Sequence, residues 1–182
     1  GLFAVFSYIK PTLLHVSHMP PAWVPLTLSL FGLGMVAGNL AGARLAERWL
    51  MPTIAGALAW ALAVMLLFYW AALWPLTAAI GLFLIGAIGA LGVGTQMRLM
   101  EVAGNAQSLA SALNQSAFNL ANALGAWLGG LAIDAGWGWR STSWVGAALA
   151  LGGMGMFAAS LWLEKTTRAR RDGGSGTGAK QP

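Results

Sequence analysis

Side chains able to do chemistry are scarce in this 182-residue sequence, and they gather in a few places. The densest is a run holding Ser111, Asn114, Gln115, Ser116, Asn119 and Asn122. Gln115, Asn119 and Asn122 recur at i, i+4 and i+7, so on a helix they share one face, while Leu113, Leu120, Leu124 and Leu128 provide apolar surface elsewhere around it. Carboxamides donate and accept hydrogen bonds without carrying charge, which suits a polar, uncharged ligand. Their other use is hydrogen bonding between neighbouring helices. Near the start, Lys10 stands beside Pro11 and close to Tyr8. The lysine either lines a water-filled cavity or runs its stem out to an interface, and the tyrosine either faces a ligand or packs between helices. Gln96 adds one more carboxamide in a long apolar run.

Other chemistries lack their residues. With no cysteine there is neither a disulfide framework nor a thiolate site. His15 and His18 have no carboxylate or cysteine near in sequence, so no metal site is expected, nor any cofactor. Asp134 and Arg140 flank one turn and read as solvated charges or a local ion pair. No nucleophile, base and orienting partner stand at a common depth, so an enzyme is not expected.

The elements that must position these groups are membrane spans. Hydrophobic residues make up 58% of the chain and charged residues 8%, far from soluble averages. A spanning helix takes roughly 20 apolar residues. Six runs qualify, at about 1–18, 24–46, 52–71, 75–97, 107–133 and 142–163. The fold class expected is an all-α membrane protein of six transmembrane helices, followed by a disordered cytoplasmic tail over 164–182. These runs are apolar nearly all round, unlike the short alternating segments of a membrane β-barrel.

The net charge of +5 is placed in a way that points to a bilayer and not to nucleic acid. Arg44 and Arg48 mark the end of the second run, Arg98 follows the fourth, and Lys165, Arg168, Arg170, Arg171 and Lys180 follow the sixth. The intervening turns hold only Arg140. By the positive-inside rule both chain ends are cytoplasmic. Trp23, Trp74, Trp137, Trp139 and Trp144 fall at the opposite boundary, where amphipathic rings favour the headgroup level.

Glycines mark the helix contacts. Gly34, Gly38 and Gly42 form one stripe along the second run and let a neighbouring backbone approach closely. Gly81, Gly86, Gly89, Gly92 and Gly94 make the fourth run pliable. The chain opens with Gly1 and a first run without a cytoplasmic flank, so upstream sequence is expected to precede it.

Residues Gly42 to Arg48, GARLAER, resemble the loop signature G-x-L-x-D-R between the second and third helices of each major facilitator superfamily half. Ala43 takes the glycine position, Leu45 and Arg48 match, and Glu47 replaces the aspartate. The resemblance makes Gly42, Arg44, Glu47 and Arg48 a cytoplasmic gate motif. Residues Ala121 to Gly130, ANALGAWLGG, resemble the element G-x-x-x-G-P-x-x-G-G, with Gly125, Gly129 and Gly130 matching and Ala121 and Ala126 departing. The phrases FSYIKPTL and LNQSAFNLANALGAWLGG look like the arabinose-efflux-permease branch of the drug:proton antiporters.

That resemblance implies a twelve-helix transporter of two six-helix halves, with this chain the C-terminal half. It implies alternating access, export driven by inward proton flow, and a bacterial cytoplasmic membrane. It also implies that the first, second, fourth and fifth helices line the cavity, with Tyr8, Lys10, Gln96, Gln115, Asn119 and Asn122 facing a small, sugar-like or amphipathic substrate. No carboxylate sits mid-helix, so a proton-binding acid is expected in the absent N-terminal half. The partners expected are substrate, lipid bilayer and that missing half or a second copy of the chain. The competing reading is a non-transporting six-helix scaffold or assembly subunit.

Overall fold

The computed structural model describes residues 1–175. Among the described residues the ordered elements are helical, and three stretches are long and apolar enough to cross a bilayer: Pro21–Ala71, Pro75–Trp137 and Ser141–Leu163. The α-helices among these residues are α1 (Leu2–Phe6), α2 (Ile9–His15), α3 (Val24–Ala71), α4 (Pro75–Gly86), α5 (Ala90–Ala103), α6 (Gln107–Ala132) and α7 (Ser141–Ser175). In lipid every backbone donor and acceptor must find an internal partner, which enforces helix even on this glycine-rich sequence.

The boundaries depart from the expected runs where proline, glycine or a local break intervenes. The first run is split into α1 and α2 around Ser7 and Tyr8. Pro11 brings no N–H to the carbonyl of Ser7, so the helix breaks one turn before it. Thr12 repairs the join by bonding the Tyr8 carbonyl through both its N–H, at 3.1 Å, and its hydroxyl, at 2.8 Å. The second and third runs are one helical element, α3, interrupted at Trp49 (φ −143°, ψ 70°). The fourth run contains a 3-10 turn, Ala87–Gly89, between α4 and α5, and continues to Ala103. Gly104, at φ +52°, ends it in a conformation that favours glycine. A π-helical turn, Ile133–Trp137, extends α6, and Gly136 and Gly138, both at positive φ, turn the chain into α7. α7 itself passes the expected end at Leu163 and runs to Ser175. Residues 176–182 of the expected tail lie outside the described residues.

Backbone approaches give the packing directions. Gly34 meets Phe83, Gly38 meets Ala87 and Gly42 meets Ala90, so the first part of α3 runs parallel to α4 and α5. Phe68 packs on Gly81 and Ile54 on Gly94, so the second part runs antiparallel to the same pair, and the chain therefore reverses at Trp49. Gly125 lies against Ala4, and Gly129 against Ala4 and Tyr8, which sets α1 parallel to α6. Gly146 meets Met65 and Gly153 meets Leu58, so α7 is antiparallel to the second part of α3. The core joins Val5, Leu13, Met65, Phe68, Leu82 and Ile85, each 1% exposed or less.

One end of the bundle collects the turns rich in tryptophan. Ser17 donates to the Ala72 carbonyl at 2.6 Å, His15 stacks on Trp139 at 6.2 Å, and Arg140 reaches Tyr69, so the turns after α2, α3 and the π-helical segment meet there. Trp23, Trp74, Trp137 and Trp144 are exposed at this end.

Candidate functional site

α6 carries the largest share of polar side chains, and its faces differ. Gly125, Gly129 and Ala132 are buried, and they mark the side packed on the bundle. Leu113, Leu120, Leu124, Trp127 and Leu131 are exposed on the opposite side. Gln115 and Asn119 are exposed too, and Asn122 is half-buried. At 3.6 residues per turn these three amides border the packed side and stand roughly half a turn from the exposed leucines. The helix therefore shows its surroundings two chemically distinct open faces.

The expected polar set is not one cluster. Gln96 of α5 meets the first turns of α6 instead, where its Nε2 donates to Ser111 Oγ at 3.4 Å and its Oε1 accepts from Asn114 Nδ2. Ser111 Oγ also lies 3.9 Å from Met100 Sδ. Ser111 and Asn114, visible in the sequence only as part of a polar run, are thus the residues that tie α5 to α6. Tyr8 takes the packing role: its hydroxyl donates to the Ala126 carbonyl at 3.0 Å, and its ring fills the space left by Gly129 and Gly130. Lys10 is exposed on α2. Since Tyr8 lies level with 126–130 of a parallel helix, Lys10 stands about 13 Å along the axis from Asn122, at roughly 1.5 Å per residue. The structure does not bring the lysine to the amide stripe.

The residues expected as a gate motif sit at the reversal of α3. Gly42 is buried, and a Cβ there would lie 2.7 Å from the Ala90 Cα, so this residue is also a packing glycine. Arg44, Glu47 and Arg48 are exposed just before the break at Trp49, and Glu47 forms no ion pair among the described residues. At the same end Arg98 pairs with Glu101 at 3.3 Å.

Two further residues hold backbone carbonyls, and nothing in the sequence marks either. Trp60 Nε1 donates to the Leu84 carbonyl at 3.1 Å, next to the 3-10 turn where the α-helical ladder is interrupted. Arg140, expected as a solvated charge or a partner of Asp134, instead donates through Nε to the Tyr69 carbonyl at 2.8 Å and lies 3.8 Å over the Tyr69 ring. A main-chain acceptor has no residue type of its own to be read.

Residues 1–180 match the Major Facilitator Superfamily. This chain belongs to that superfamily. It is 39% identical over 151 residues to the inner membrane transport protein YdhP of Escherichia coli (strain K12), covering 82% of the chain and 39% of that protein. It is 30% identical over 156 residues to the putative transporter AraJ of the same strain, covering 85% and 40%. A probable sugar efflux transporter of Helicobacter pylori (strain ATCC 700392 / 26695) is 34% identical over 154 residues, covering 83% and 39%. The chain thus spans about two fifths of the length of these relatives. No solved structure gives a significant match. The resemblance to the AraJ-like branch holds, and the chain's long apolar helices place it in a bilayer.

Proposed function

We propose that this segment is the C-terminal six-helix half of a secondary active exporter, and that it carries a neutral, sugar-like or amphipathic small molecule between itself and an N-terminal half. The breaks at Trp49 and Gly104 divide the two longest helical stretches, and counting each part as a span with the α1–α2 pair and α7 supports a reading of six. The observation that carries the reading is the pair of open faces on α6. Leucines suit acyl chains, whereas an exposed carboxamide in hydrocarbon costs several kcal/mol, about the amount of an unsatisfied polar group. The amide face therefore fronts water. Gln115, Asn119 and Asn122 supply donors and acceptors without charge, and Lys10 stands about 13 Å further along the bundle axis from Asn122. The names of the Helicobacter relatives, probable sugar efflux transporters, accord with such a ligand. Glu47 and the arginines beside it would pair with the other half when the inner end closes. Proton coupling follows from the resemblance, with the acid in the other half.

Flux of labelled neutral monosaccharides into inverted vesicles carrying the full-length protein tests this. An imposed proton gradient should drive uptake, and replacing Gln115 and Asn119 together by leucine should lower it at least tenfold while Tyr8→Phe keeps most of it. Uptake indifferent to the gradient would remove the coupling, and an unimpaired double variant would remove the site.

A further inference from the structure

Arg140 is held at two points. Its Nε–H is fixed on the Tyr69 carbonyl at 2.8 Å, and its carbon centre lies 3.8 Å over the Tyr69 ring. Tyr69 is itself braced edge-on by Trp70 at 5.3 Å and by a tilted Trp144 ring at 5.7 Å. A guanidinium has five N–H donors in one plane, and here one is engaged while the carbon centre lies over the Tyr69 ring. The four donors on the two Nη atoms have no partner among the described residues. Asp134, the carboxylate of the same turn, is exposed and forms no ion pair with Arg140 among the described residues.

The surroundings select the ligand. Trp70 is 56% exposed, Trp74 70% and Trp144 49%, all at the end of the bundle away from the arginine-rich turns. Tryptophans exposed in this way sit at the headgroup level of a bilayer. A half-buried cation at that depth, with its remaining donors unclaimed by the protein, meets the phosphodiester layer of the facing leaflet. Parallel N–H donors match two oxygens of a phosphate in a bidentate geometry that a lysine lacks.

We propose that Arg140, clamped by Tyr69 and flanked by Trp70 and Trp144, is a binding site for the phosphate of one phospholipid in the outer leaflet. The lipid would neutralise the cation, and its chains would lie along the exposed face of Trp70 and Leu67. The site joins the end of α3 to the start of α7, so a bound lipid ties the two helices together at the outer boundary. The inference needs only the membrane orientation and stands apart from the substrate reading.

The test is native mass spectrometry of the full-length protein taken from nanodiscs of phosphatidylglycerol and phosphatidylethanolamine. After progressive delipidation the wild-type protein should keep one phospholipid per copy. Arg140→Gln should lower that retained fraction about tenfold, the scale of one charge-assisted, bidentate contact. Arg140→Lys should lose several-fold, because an ammonium keeps the charge and loses the fork. Equal retention in wild type and Arg140→Gln at matched melting temperature would overturn the proposal, as would equal retention in Arg140→Lys if the glutamine variant does not fold. Displacement of the lipid by about 10 mM inorganic phosphate would show a free-anion site and overturn the lipid assignment.

Discussion

Replacing Gly38 by alanine adds a single methyl group at one of the closest helix contacts in the bundle. Its Cβ would lie 2.6 Å from the Ala87 Cα, well inside ordinary contact, and the neighbouring atoms are backbone that cannot rotate away. The first part of α3 and the α4–α5 junction must then part by roughly 1 Å, a gap that forfeits about a quarter to a half of each dispersion contact along the seam. Overpacking of this kind costs about 1–3 kcal/mol, set against about 1 kcal/mol gained from alanine's better helix propensity. Gly32 is the matched control, less than two turns away on the same helix with nothing within 4 Å of its Cβ position. Gly32→Ala keeps the propensity gain and meets no neighbour. Heating the full-length protein in detergent and measuring the surviving monodisperse fraction should show Gly38→Ala clearly less stable and Gly32→Ala equal to or above wild type. Matching losses in the two variants would refute the close-approach account of the glycine stripe.

Tyr8→Phe removes the hydroxyl bond to Ala126 and should cost about 0.5–1.5 kcal/mol of stability in the same heating assay, leaving any substrate KM unchanged. Trp60→Phe keeps an aromatic ring at that position but withdraws the indole N–H from the Leu84 carbonyl, beside the 3-10 turn, so a loss of about 1–2 kcal/mol is expected in that assay. Gln96→Leu leaves Ser111 and Asn114 without their shared partner, and hydrogen exchange at the α5–α6 end should quicken about tenfold while the α3–α4 contact stays protected.

Much of this architecture was legible in the sequence because lipid imposes simple rules. The apolar runs mark where helix has to form, and the stripe Gly34, Gly38 and Gly42 marks a close contact that Phe83, Ala87 and Ala90 fill. The alternation of arginine-bearing and tryptophan-bearing turns matches the two ends of the bundle. The features that sequence does not reveal share a cause. Trp60 and Arg140 both donate to main-chain carbonyls, at Leu84 and Tyr69, and such acceptors carry no residue signature. The amide run looks continuous on paper, but direction around the helix divides it: Ser111 and Asn114 are taken up by Gln96 on α5, while Gln115, one residue and about 100° on from Asn114, stays exposed with Asn119. Tyr8 and Lys10 are near neighbours in sequence, yet the break before Pro11 leaves the first between helices and the second exposed.

The central claim is that α6 presents one face to water and another to lipid. This stretch of chain has no cysteine, so single thiols can be introduced into the full-length protein after removal of any others. A membrane-impermeant, water-soluble thiol reagent should modify Gln115→Cys and Asn119→Cys readily and leave Leu113→Cys and Leu120→Cys untouched. Equal labelling of all four, or labelling of the leucine positions alone, would contradict the account.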